Sequence, residues 1–343
     1  MIFGKAGFGG AVADFEAAVT AQDAKRSGKA FVRLQETFGQ ARESELRDGG
    51  PRLAAVLDQV PPGPRAVVAV LVGACVERGA EAVRCAPGVL AGLRWALEQA
   101  LEFSDAWAAT GGGAFPAPDG GEPGPELVQR AGVDAAFGWW TLPQWETAAV
   151  AMLNHPGVRR RAAGSRGEAP RLLRAVERAS GIELKSLTHA LLVLDDEPLV
   201  ALHRTSGTGY LLRISGIGDN FQLHTLLADA LIGGGHVEGR APSSQEAAVC
   251  RETPGQVETE GSFDLVAPDG ELIWNEGAPA DIPVVDGVRL LVLDEPSYRR
   301  TWPAGRFFPG MRGDALLERA LDPGETERWY AHVAPAKDAT ATG

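Results

Sequence analysis

Two acidic turns are the first places where this chain could do chemistry. Leu191-Leu192-Val193-Leu194 runs into Asp195-Asp196-Glu197-Pro198, and Leu290-Leu291-Val292-Leu293 runs into Asp294-Glu295-Pro296. Clustered carboxylates repel, so they call for a divalent cation, an arginine or raised proton affinity. If the two apolar runs are neighbouring strands, Asp195, Asp196, Asp294 and Glu295 meet at one sheet edge, where open sheets often keep their sites. Two solvated turns beyond buried strands are the plainer alternative. All six histidines lie at or beyond His155, and no pair has the i, i+4 spacing of a helical metal site. His203 lies on an expected hairpin, and His224 follows Asp219 and Asn220 closely enough for a His–Asp general base. No nucleophile is evident, Ser215 being only nearby. The catalytic candidates are thus Asp195, His203, His224 and Asp219.

A second constellation follows the second acidic turn. Tyr298, Arg299, Arg300, Trp302 and Arg306 interleave guanidinium groups with aromatic rings. That combination suits a small anionic ligand or a protein partner, through forked hydrogen bonds and stacking. The same arginines could simply neutralise the neighbouring acidic turns. Trp139, Trp140 and Trp145 form a tryptophan cluster, expected to be an interface, most plainly the seam between two domains. Arg159-Arg160-Arg161 with Arg166, Arg171, Arg174 and Arg178 reads as a solvated or docked basic face.

Two short stretches resemble known motifs. Leu290 to Pro296 resembles the Walker B segment of ATP-binding cassette proteins, whose acidic pair serves magnesium and water. The phosphate loop such a segment requires, GxxxxGK[ST], is absent: Gly4-Lys5 and Gly28-Lys29 both precede alanine. Thr205-Ser206-Gly207-Thr208-Gly209 resembles a fragment of the phosphate loop of adenylate-forming enzymes, but a tight hairpin turn explains the same residues. No family is recognised over any substantial length, and no cofactor is identified, with a divalent cation left possible at the acidic turns.

The elements that must position these residues change character along the chain. Residues 11–109 carry helical spacing, clearest in Val89, Leu90, Leu93, Leu97 and Leu101. Breaks are expected at Ser27-Gly28, Gly49-Gly50-Pro51, Pro61 to Pro64 and Pro87-Gly88. Residues 110–125 read as a Gly/Pro-rich linker and 126–181 as connecting helices. From 182 to 335 we expect an α+β domain on a mostly antiparallel sheet. Its strands fall at 187–194, 199–204, 210–215, 262–266, 271–275 and 288–293. Helices are expected from Asp219 or Asn220 onward, near 314–321 and over 324–333, with a polar loop of nearly thirty residues after Gly235. The last residues, 336–343, read as a disordered tail. The fold class is therefore α+β, with an all-α N-terminal domain.

Composition narrows function without naming it. The chain has 343 residues, 45% hydrophobic and 23% charged, enough for a sizeable core in two domains. The formal charge of −12 argues against nucleic acid as a partner, and no run is long and apolar enough for a membrane span. By segment the charge is −3 over 1–125, +3 over 126–178 and −12 over 179–343. Cys75, Cys85 and Cys250 cannot build a disulfide framework or a CxxC zinc site, so a cytoplasmic location is expected. The abundance of Arg over Lys fits the codon usage of a GC-rich bacterial genome. Two functions remain: a non-catalytic interaction or accessory protein working through the aromatic/arginine surface, or an enzyme for a small anionic substrate at a carboxylate/His/Arg site.

Overall fold

The computed structural model describes residues 7–162 and 168–335. The expected tail at 336–343 and Arg166 lie outside them. The chain divides into two compact units, residues 1–191 and 192–343. Among the described residues no helix is long and apolar enough to cross a membrane.

The first unit is all-helical: α1 (Phe8–Thr20), α2 (Ala24–Phe38), α3 (Glu43–Ala55), α4 (Pro62–Glu77), α5 (Ala82–Ala109), α6 (Pro125–Ala131), α7 (Val133–Trp140), α8 (Leu142–Leu153), α9 (Pro156–Ala162), α10 (Glu168–Ser180) and α11 (Lys185–Leu192). Only the break at Pro61–Pro64 falls where expected, because Pro62 occupies the first helical position that its missing N–H favours. Ser27-Gly28, Gly49-Gly50-Pro51 and Pro87-Gly88 all lie inside helices. Packing explains the last of these. A Cβ on Gly88 would sit 2.2 Å from the Ala54 carbonyl oxygen, and one on Gly92 only 2.1 Å from the Trp145 ring. The glycines let α5 pass against α3 and α8, so close approach outweighs their low helix propensity.

The stretch expected to link two domains instead belongs to this unit. Trp139 Nε1 donates to the Pro116 carbonyl (2.9 Å), and the Gly120 amide donates to the Trp140 carbonyl (3.0 Å). Arg130 reaches the Trp107 carbonyl at 3.1 Å and lies over the Trp107 ring, 3.3 Å from its centroid. The division between units falls at Leu191/Leu192, ten residues beyond the expected 181/182 boundary.

The second unit opens with β1 (Glu197–His203) and β2 (Thr208–Ser215), then α12 (Asn220–Ala228), α13 (Ser244–Arg251), β3 (Val257–Glu260), β4 (Asp264–Val266), β5 (Val284–Val285), β6 (Val288–Asp294), β7 (Thr301–Ala304), β8 (Asp314–Ala320) and α14 (Pro323–Tyr330). The main sheet runs β4-β6-β1-β2-β8, with β5 also on β6, while β3 and β7 pair separately. Every pairing is antiparallel except β1 with β6. The unit is therefore α+β on a mostly antiparallel sheet, as the sequence suggests. One face packs Leu199, Ala201, Leu212 and Ile214 against Leu223, Leu226 and Leu227 of α12. The other sets Val200, Leu202 and Leu290 against Trp329 and Tyr330 of α14.

Four expected elements differ. Residues 187–194 are not a strand: Lys185–Leu192 is helical, with Leu187, Ala190 and Leu191 buried at i, i+3, i+4. Residues 314–320 form a strand, because pairing with β2 overrides the helix-favouring Ala315-Leu316-Leu317-Glu318-Arg319-Ala320. The long loop holds α13, opened by a reciprocal cap between Ser243 and Glu246. Of 271–275 only a bridge remains, Leu272 opposite Val266.

Candidate functional site

The parallel register separates the two acidic turns. Leu199 lies opposite Arg289 and His203 opposite Leu293, so Asp195-Asp196 enters β1 at one end of the sheet and Asp294-Glu295 leaves β6 at the other. Seven strand residues lie between the two ends of β1, roughly 20 Å at the rise of a strand. The four carboxylates therefore form no common site. Asp196 is tied into its own turn: its amide donates to Ser215 Oγ at 2.8 Å, and Arg213 donates to its carbonyl at 2.8 Å. Among the described residues no group of three His, Cys, Asp or Glu side chains is placed to hold a metal ion. A divalent cation at these turns is thus not supported.

The histidine candidates also separate. His224 is fully buried, and its Nε2 accepts the amides of Ser262 (3.1 Å) and Phe263 (3.0 Å). Burial, aided by the Arg300 charge, pushes its pKa down to about 3, so it is a neutral structural acceptor rather than a general base. Asp219 does not serve it: the Asp219 carboxylate accepts the Gln222 amide (2.8 Å) as the N-cap of α12.

His203 has a better-defined environment. Its Nδ1 meets Ser206 Oγ at 2.8 Å, Ser206 Oγ meets Thr208 Oγ1 at 2.6 Å, Thr208 donates to Tyr210 Oη at 3.0 Å, and Tyr210 donates to the His236 carbonyl at 2.8 Å. A carbonyl only accepts and each hydroxyl has one proton, so the chain has one consistent direction. His203 Nδ1 must be the donor, which leaves the lone pair on Nε2. Burial lowers its proton affinity more than the Glu295 and Asp294 charges raise it.

The Arg/aromatic stretch is largely internal. Trp302 is buried in β7 with His224 edge-on to it at 4.9 Å, and Arg300 is ion-paired with Asp264 while donating to the Phe263 carbonyl at 3.0 Å. Arg306 donates to the Met311 carbonyl at 3.4 Å. Arg299 pairs with Glu260 at 3.0 Å, and Tyr298 remains 66% exposed. Trp139 and Trp145 are likewise core residues of the helical unit, Trp139 stacking on Phe103 at 5.4 Å, with Trp140 half-buried beside them. The expected interface is thus packing within one unit. The three thiols are buried, which pushes Cys75 and Cys85 up to about 12 and Cys250 to about 11, so none is a ready nucleophile.

What the fold does build is a cleft of about 560 Å³ between the β1–β2 turn and α14. Arg204, Gly207, Thr208 and Tyr210 line one side, with Leu321, Thr326, Glu327 and Tyr330 on the other. Side chains alternate along β1, so Arg204 turns to the α14 face while His203 turns to the other. The Arg204 guanidinium is held at two points: Nε donates to Asp294 (2.7 Å) and Nη1 to the Ala334 carbonyl (3.3 Å). Its Nη2 is buried without an acceptor, and so is the Tyr330 hydroxyl. Burial raises the Tyr330 pKa, with the Arg204 charge opposing, so the phenol is a neutral donor. Arg204 and Tyr330 thus both contribute to the cleft wall, while these two donor atoms are themselves enclosed. Sequence reasoning missed Arg204 and Tyr330 because Arg204 reads as the residue after a strand and Tyr330 as one of several aromatics on a short helix. Comparison with protein-family models, with curated proteins and with solved structures returns no match.

Proposed function

We propose that the second unit is a non-catalytic binding module for a small anionic ligand, taken up in the cleft between the β1–β2 turn and α14. The observation that supports this reading is the cleft of about 560 Å³ with the Arg204 guanidinium in its wall. Arginine suits the role because its planar fork recognises carboxylate and phosphate geometry. This reading leaves catalysis out because the candidate acids and bases do not converge: His224 accepts two amides, Asp219 caps a helix, Asp195 and Asp196 lie at the far end of the sheet, and His203 faces away from the cleft.

The test is thermal unfolding of the full chain against small carboxylates and inorganic phosphate. Binding to the native state should raise its unfolding temperature with ligand concentration, and Arg204→Gln should weaken affinity by roughly tenfold for one lost charge-assisted bond. If no member of the panel shifts the protein, the reading is wrong.

A second reading keeps a protein partner. Leu272 and Trp274, exposed by 52% and 74%, lie on the outermost segment of the sheet beside β4, where the Ile273 amide donates to the Leu265 carbonyl. Exposed apolar residues on a sheet edge suit strand addition by a partner. Trp274→Ser should abolish partner capture under that reading and leave small-anion binding unchanged.

A further inference from the structure

The helical unit carries a groove of its own, about 420 Å³, between α5 and α9. Its α5 wall is apolar, and Arg94 and Arg161 are the charged residues that line it. We propose that this groove binds a medium-chain alkyl carboxylate, a free fatty acid, with the chain along α5 and the carboxylate at Arg161.

The apolar floor is written in the spacing of α5. Val83, Pro87, Leu90 and Ala91 recur at i, i+4, i+7 and i+8, which places them on one helix face. Val83 and Leu90 are only half-buried there, and Pro87 and Ala91 are exposed. Methylenes that leave water against such a surface favour binding, and the volume lies in the range of small-molecule sites. A second space of about 90 Å³ adjoins the groove, shares Leu90, Arg94 and Ala162 with it, and has Leu93 and Leu153 in its wall. It is far too small for a whole ligand and suits the end of a thin chain better than a ring.

The charges select the head group. Arg94 is already answered on both sides, by Glu98 at 2.8 Å and by Glu168 at 2.8 Å. Arg161 is exposed and makes no ion pair among the described residues. Its neighbour Arg159 turns inward instead, buried and donating to the Leu153 carbonyl at 2.7 Å. One unanswered guanidinium beside an apolar floor matches one carboxylate on an alkyl chain, and it repels an ammonium in the same place.

Calorimetric titration of the full chain with hexanoate, octanoate, decanoate and decylammonium, each below its micelle concentration, tests the proposal. Affinity should rise about tenfold for each two methylenes from hexanoate to decanoate. Decylammonium should bind at least about fivefold more weakly than decanoate, since an exposed attraction is replaced by a repulsion. Ala91→Phe, at an exposed helix position, fills the groove and should weaken decanoate at least tenfold while cooperative unfolding is retained. Arg161→Gln should bring decanoate and decylammonium within about twofold of each other. Equal binding of the two alkyl ions by the native protein overturns the proposal, and so does a preference for decanoate that survives Arg161→Gln. Decanoate binding that survives Ala91→Phe places the ligand elsewhere, in the cleft of the second unit for example, and overturns it as well. So does the absence of binding, including the case in which a second copy covers the groove and Ala91→Phe disperses a dimer.

Discussion

Tyr330 and His224 each leave one buried polar atom without a partner, Oη and Nδ1, but His224 also carries a fully engaged one. The Tyr330 hydroxyl is buried without a partner, whereas His224 Nε2 has two. Tyr330→Phe in the ligand-free protein should therefore leave stability unchanged or raise it by up to about 1 kcal/mol, because a desolvated group disappears and no bond is lost. Denaturant titration would show this, and a marked loss would mean that the hydroxyl has a structural partner. For His224 the pH dependence has a definite sign. An unfolded imidazole takes its proton near 6.5, and buried His224 does so only at about 3. Between those values the unfolded chain binds the extra proton, so stability falls as pH drops from about 6.5 toward 3. His155 and His203, also lowered by burial, add to the same trend. His224→Gln keeps an oxygen acceptor but cannot titrate, so its urea midpoint should fall less between pH 7 and pH 4 than that of the native protein. Parallel curves would refute the assignment.

At the level of elements, two glycines inside helices should respond oppositely to alanine. Around Gly28 in α2 nothing lies within 4 Å of an added Cβ, so Gly28→Ala should stabilise by roughly 0.5–1 kcal/mol through helix propensity. Nothing near Gly28 explains the glycine there. At Gly92 the same methyl would overlap the buried Trp145 ring, and Gly92→Ala should destabilise by about 1–3 kcal/mol as α5 and α8 are forced apart. Thermal denaturation of the two variants side by side decides the matter, and stabilisation at Gly92 would mean that the Trp145 contact yields easily. These glycines also show why helix breaks were misplaced in the sequence. A glycine signals a turn when its backbone freedom is used and a helix crossing when its lack of a side chain is used, and a single sequence does not separate the two.

For the whole molecule, the division at Leu191/Leu192 gives each unit its own core and its own tryptophans, Trp139 and Trp145 in the first and Trp302 in the second. Calorimetry should resolve two unfolding transitions, and a ligand of the cleft should raise only the one belonging to the second unit. A single transition that moves as a whole would show that the units unfold together.

Much of the architecture was already determined by local chemistry. Helical spacing marked the N-terminal half, Asp219 and the polar turn ahead of α12 marked its start, and the apolar run at Leu290–Leu293 marked β6 as a buried strand. Those signals are written in neighbouring residues, because capping and periodicity act within a few positions. The candidate site was not legible in that way. Only the parallel pairing of β1 with β6 brings Asp294 to Arg204, ninety positions apart, and only the packing of α14 on the sheet brings Tyr330 to the same cleft. The same pairing carried the two acidic turns to opposite ends of the sheet. Strand order and direction arise from long-range burial of whole faces, which leaves no local trace in the residues that end up side by side.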